Sequence, residues 1–443
     1  MGFGLRLVGV SVGLITGLLL AACEGQTSAP ATAPTLESIA SVTPRPVVQV
    51  PTITPTLTAQ PSVVGPVNIV VWWPEPLAPI DNTVVNDLLA AQIIAFETTN
   101  GTSQVERRLK KVSDAGGIMS TLRTASAVAP GAVPDLTLIR REDLLTAVQA
   151  GLVQPLEGWA SSAIVGDLTS LSNSVLQLGQ VNGRLYGIPY TLDIQHMVYR
   201  VDNGQESFET WRFSDVLQRK MSFAFAAGSA SPVNSTFFAQ YLSAGGTPPQ
   251  QGVLTLDPDA LREVLRFYEK ARDEGLLDTN VLSYLSTSDY EPAFINGTLD
   301  AIVTNSTNFL QLRSQGYSVS VAPLPTESGQ HATVLNGWMW VMTTSNGDRQ
   351  ATAIEFLNWM MGGDRQGQFA RAISMLPSQR SALRAWGSGD ETLVDLIADA
   401  TLPLAPDDGG TLARAMQNAL VSVLNGERTA NEATQDVIEQ AAG

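Results

Sequence analysis

From Val67 onward, short β-branched runs alternate with segments of helical periodicity, and this alternation restricts the chain to an α/β architecture. VNIVVWW (67–73) ends at Pro74; then come a Pro-rich loop and VVNDLLAAQIIAFE, with Val85, Leu88, Leu89, Ile93 and Phe96 at helical spacing and Gly101 as a stop. VPDLTLI (133–139) is a second apolar run, followed by a helical pattern through Leu144, Leu145 and Val148 and by Gly151. A βαβα rhythm predicts a largely parallel sheet with helices on both faces. The alternation resumes with a helix over 257–274, in which Asp257 is the cap, Pro258 opens the first turn and Leu261, Val264, Leu265 and Tyr268 form the apolar stripe. Strands are predicted at 300–304, 317–325 and 338–344, and helices at 349–361 and 411–425.

The part before Val67 has a different character. Arg6 precedes an apolar run from Leu7 to Leu20, the pattern of a secretory signal; a retained membrane anchor is the competing reading, for which the run is short. Cys23 is the only cysteine, so no intramolecular disulfide can form. It follows Leu20-Ala21-Ala22, and LAAC resembles the bacterial lipobox, whose cysteine is acylated after cleavage. A plain cleaved signal over 1–22 is the alternative. Residues 24–66 hold eight prolines, eight threonines and three charged residues, too little apolar surface for a core. The stretch 23–66 reads as a lipidated cysteine and a disordered tether.

With 443 residues, the chain exceeds what one core usually supports, which predicts two lobes. A net charge of −16, with no basic run after the N-terminus, argues against nucleic acid as a partner. His196 and His331 lack a metal-ligand context, and there is no P-loop or nucleophile-elbow motif, so neither a metal nor a cofactor is expected.

In open α/β sheets, ligands bind beyond the carboxyl ends of the strands. That rule selects Trp73 and Glu75 after the first run, and Arg140, Arg141 and Glu142 after the second. It also selects Asn305 and Ser306 after DAIVT, and Tyr190 and Asp193 after the segment 184–190. Carboxylates and amides engage vicinal hydroxyls, and indoles offer a flat face to a sugar ring, which brings in Trp338 and Trp340. Each has a plainer reading as well. Trp72 and Trp73 point to opposite faces of a strand, so at least one is packing; Arg140 and Arg141 can pair with Glu142 and Asp143; Asp193 can cap a helix from Ile194.

Taken together, GRLYGIPYTLDIQHMVYR, FINGTLDAIVTNSTNF, NGWMWVMTTSN and ATAIEFLNWMM, in this order, resemble bacterial extracellular solute-binding proteins of the sugar-binding, maltose-binding-protein-like type. The resemblance runs from about Val67 to the C-terminus. It implies a periplasmic-binding-protein-like α/β fold: two lobes, joined by a multi-segment hinge, close on a ligand that is delivered to an ABC permease. It puts crossings near 184–192, 334–337 and 400, one lobe at 67–183 plus 338–400, and the other at 184–337 plus 401–443. It also implies a ligand role for Asp193, which matches an acidic position just after the hinge, and puts Glu75, Arg141 and Glu142 near first-lobe contacts. Asn305-Ser306-Thr307 stands where some maltodextrin binders carry a Trp, which argues against an extended glucan platform. The expectation is a non-enzymatic, monomeric receptor for a small polar solute, most simply a saccharide, exported and held through Cys23 on the outer face of the cytoplasmic membrane. A surface-attached glycan hydrolase and a transporter-independent sensor are the rivals.

Overall fold

The structure, a computed structural model, describes residues 67–442 apart from 102, 202–209, 231, 251 and 388–390. The predicted signal, Cys23 and the tether lie outside the described residues. All described residues belong to one compact unit, Val63–Gly443.

Ten strands form one sheet: β1 (Val67–Pro74), β2 (Ser103–Lys110), β3 (Leu136–Arg140), β4 (Gly187–Arg200), β5 (Phe223–Ala224), β6 (Ala301–Asn305), β7 (Val319–Ala322), β8 (Thr333–Met342), β9 (Leu376–Pro377) and β10 (Ala400–Thr401). The order is β2-β1-β3-β8-β4-β6-β5, with β10 added to β8 and β7 and β9 to β4. Parallel pairing is found on the flanks, β1 with β2 and β3 on one side and β5 with β6 on the other, and where the short β10 joins β8. At the centre, β8 runs antiparallel to both β3 and β4, and β4 antiparallel to β6. The expected largely parallel sheet is therefore corrected to a mixed one. The reason is that β4 and β8, the two longest strands, cross the middle of the sheet in opposite directions.

Local chemistry explains the elements. The helix Thr83–Asn100 begins where Asn82 Oδ1 accepts from Val85 N (3.1 Å) and stops at Gly101, whose φ of 59° suits glycine. The helix Pro258–Asp273 is capped by Asp257, which accepts from the amides of Asp259 and Ala260, and buries the predicted stripe.

Two hydrophobic clusters hold the sheet. The larger takes the even positions of β4, Ile188 to Ile194 and Val198, with most of β1, β3 and β8; the smaller takes Met197 and Tyr199 on the other face, with Ala301 and Val303 of β6. Asp135 is buried between β1 and the helix Gly347–Met360, where its Oδ2 accepts from Val70 N (2.8 Å) and Arg349 Nη2 (2.5 Å).

The strand β4 carries a proline in the middle of a sheet. It is tolerated at a bulge, where a missing N–H costs nothing. Trp338 pairs with Thr191 and Met339 with Pro189, which leaves Tyr190 unpaired on β8. The carbonyls there are satisfied from outside the ladder: Gln366 Nε2 donates to Tyr190 O (3.0 Å) and Ser378 Oγ to Pro189 O (2.6 Å). Close approach of the two strands depends on Gly337, where a Cβ would stand 2.2 Å from Thr191 O.

Candidate functional site

Directly opposed residues on neighbouring strands share a face, as do residues two apart along one strand. Arg140 on β3 opposes Trp338 on β8, and Trp338 opposes Thr191 on β4. Asn336 opposes Asp193, Val334 opposes Gln195, and Gln195 opposes Asn305 on β6. One face of four strands therefore carries Arg140, Asn336, Asp193, Gln195 and Asn305 side by side. This is the face that bears Met197 and Tyr199 further along β4, so it changes from apolar to polar at Gln195. The polar end floors a pocket of ≈ 350 Å³, walled by Ser229, Asn234 and Ser235 on one side and Ser286, Thr287 and Tyr290 on another.

Asp193 is 7 % exposed and stands inside β4 rather than after it. Its Oδ1 accepts from Ser306 Oγ (2.9 Å), Thr307 N (3.1 Å) and Thr307 Oγ1 (3.0 Å). Ser306 Oγ in turn accepts from Ile194 N (3.1 Å), and Asn305 Oδ1 caps the same helix, Ser306–Ser314, through Asn308 N (2.8 Å). The carboxylate thus sits at the positive end of a helix remote in sequence. Burial raises its pKa, opposed by the Thr307 amide, the charge of Arg140 and the two hydroxyls. Oδ2 makes no hydrogen bond among the described residues, which leaves an acceptor for a ligand in the pocket. The Arg140 guanidinium lies over Trp338, 5.1 Å from the ring centroid, and supplies donors beside that acceptor.

The other predicted residues fall elsewhere. Trp73, Tyr190 and Trp340 are corrected to core residues: all are fully buried, with Trp73 edge-on to Trp340, Tyr190 and Phe369. The strand-end rule misplaces Trp73 and Tyr190 because β1 and β4 run on past these positions, and the Trp340 indole is packed against Trp73 instead of facing a ligand. Trp338 is 3 % exposed beneath Arg140. Glu75 is exposed on a short 3-10 turn and lines neither pocket described here. Arg141 and Glu142 line an adjoining pocket of ≈ 330 Å³ with Pro403–Pro406, which shares Ser229, Ser235, Asn336 and Pro403 with the first. Arg141 does not pair with its neighbours; it donates to the carbonyls of Leu178 (3.1 Å) and Gln180, and burial lowers its pKa to about 10. Ser306 is fully buried and reaches the pocket only through Asp193.

Sequence reasoning missed Gln195, Asn234, Ser235, Thr287 and Asn336. Gln195 was open to discovery, since it lies two residues beyond Asp193 on a strand. The wall residues carry no local signal. Among the described residues, no group of three or more His, Cys, Asp or Glu could hold a metal, and no helix is long and apolar enough to cross a membrane.

The family model for bacterial extracellular solute-binding proteins matches residues 91–393. The chain belongs to that family. Among solved structures, this solute-binding protein resembles the cyclic alpha-maltosyl-1,6-maltose binding protein from Arthrobacter globiformis, at 16% identity and a TM-score of 0.67, covering 84% of this chain and 97% of that one. It also resembles maltose-binding periplasmic protein MalE from Listeria monocytogenes in complex with maltose, at 14% identity, TM-score 0.65 and coverage of 84% and 96%. A third is the sugar-binding protein MalE from Xanthomonas citri, at 17% identity, TM-score 0.62 and coverage of 84% and 96%. At these identities the likeness establishes the fold, the two-lobed α/β architecture of periplasmic sugar-binding proteins. Family and fold relatives alike are binding proteins.

Proposed function

We propose that this solute-binding protein captures a carbohydrate between two lobes and delivers it to an ABC-type permease, without turnover. The observation that carries the reading is the polar floor, where Arg140, Asp193, Gln195, Asn305 and Asn336 meet on adjacent strands. It sets guanidinium and amide donors beside a carboxylate acceptor, a mix that vicinal hydroxyls can match. Proteins of the same fold that bind maltose and maltotetraose point to the same ligand class. The lobes we assign are residues 67–183 with 338–400, and 184–337 with 401–443. Pairing of β4 with β8 and of β10 with β8 supports three crossings at one hinge, the layout for closure driven by ligand contacts on both sides. A thermal-shift screen of sugars, polyols, amino acids and polyamines is expected to raise the melting temperature with sugars, because a ligand bound only to the native state stabilises it. Silence across the sugars beside a clear response to an amino acid or polyamine would reverse the assignment.

The receptor is also proposed to be a monomer anchored through acylated Cys23 to the outer face of the cytoplasmic membrane. Several acyl chains, each contributing about 0.8 kcal/mol per buried CH₂, hold a protein there. Cys23→Ser is expected to move it from the membrane to the soluble fraction on cell fractionation; unchanged membrane association in that variant would argue against the anchor.

A further inference from the structure

Resting on that carbohydrate reading, we infer that the ligand is a neutral saccharide of one or two rings, gripped edge-on by hydrogen bonds and not by ring stacking. The absence of an available aromatic face carries the argument. Among the described residues, Tyr290 is the one aromatic residue lining the main pocket; it is 2 % exposed, donates its hydroxyl to Val303 O (2.6 Å) and packs against Tyr284 at 5.3 Å. Trp338, which shares the floor's face, is covered by the Arg140 guanidinium, so that indole is already stacked. The adjoining pocket continues the cleft along Pro403, Leu404, Ala405 and Pro406, and none of its described lining residues is aromatic. A third or fourth ring would therefore find aliphatic wall and no platform.

Volume agrees, because ≈ 350 Å³ lies at the low end of the roughly 300–1,000 Å³ range of small-molecule pockets. Charge agrees as well. Among the described residues, the main pocket holds one cation and one anion, Arg140 and Asp193, and the adjoining pocket another such pair, Arg141 and Glu142. A lining without net charge gives no preference to a uronate or an amino sugar, each of which would meet one like charge and lose hydration. Amides and hydroxyls supply the remaining contacts, among them Gln195, Asn305, Asn336 and Thr287.

The test is calorimetric titration of the whole protein with neutral hexoses, pentoses and disaccharides, with glucuronate and glucosamine, and with gluco-oligosaccharides of two to four rings. At least one neutral mono- or disaccharide is expected to bind. Elongating it is expected to leave affinity level or lower, and the charged analogues to bind at least about tenfold more weakly, a difference of one unit in log Kd. A gain of tenfold or more with a third ring would overturn the size limit and leave the carbohydrate reading standing. Tighter binding of glucuronate or glucosamine would overturn neutrality alone. Failure of every sugar would remove the carbohydrate reading and this inference together.

Discussion

Asp193→Asn is expected to weaken binding of the ligand found in the thermal screen by ~10–100-fold, the loss of one or two charge-assisted hydrogen bonds, while the fold survives. The argument turns on the two oxygens of one carboxylate. Oδ1 is committed to the fold, accepting from Ser306 Oγ and from both the amide and the hydroxyl of Thr307. An asparagine Oδ1 can accept the same three bonds, so the helix Ser306–Ser314 keeps its anchor. Only the outward position changes, from an anionic acceptor to an amide donor set against Arg140. Asp193→Ala removes both functions and strands buried donors, costing about 3 kcal/mol of stability in addition to affinity. Titration calorimetry and urea unfolding on both variants separate the effects. Full affinity in the asparagine variant would reduce Asp193 to a helix-anchoring role.

The same carboxylate predicts opposed pH trends. Burial raises its pKa above the unfolded value, so the folded state holds more protons between the two. Stability from this group is therefore greatest below the unfolded value, about 3.9, and declines as pH rises through the raised one. Binding that uses the ionised form runs the other way and is lost as pH falls through that window. Asp193→Asn is expected to flatten both trends.

How much of this was legible depends on whether a residue's neighbours come from its own segment. The helices Thr83–Asn100 and Pro258–Asp273 were, because cap, stripe and stop lie within twenty residues. The segment 184–190 was also legible as leading into the site, but the length of its strand was not. β4 runs on to Arg200, so Asp193 and Gln195 share a strand face instead of a loop. The helix that Asp193 steadies begins at Ser306, over a hundred residues away, and no local pattern reports that contact. Trp338 and Trp340 look equivalent in sequence; the structure sets one beneath Arg140 and the other in the core against Trp73. The wall residues Ser229, Asn234, Ser235, Ser286 and Thr287 are polar positions like many others, and only folding brings them to the floor.

Trp73→Ala is the change expected to cost the fold most, about 3–5 kcal/mol, with affinity of the folded protein retained. Trp73 is fully buried, with ring centroids 5.2 Å from Trp340, 5.5 Å from Phe369 and 6.4 Å from Tyr190, all near perpendicular. Truncation opens a cavity among three rings that bulge, helix and strand hold in place, so collapse is limited. Each lost edge-to-face contact adds about 0.5–1.5 kcal/mol to the area term. Trp73→Phe should cost less than its lost area implies, because Trp73 Nε1 has no acceptor among the described residues and phenylalanine removes that unpaired donor. Urea unfolding measures the first effect and titration below the transition the second. A variant that unfolds like the parent but binds tenfold more weakly would move Trp73 from the core to the ligand.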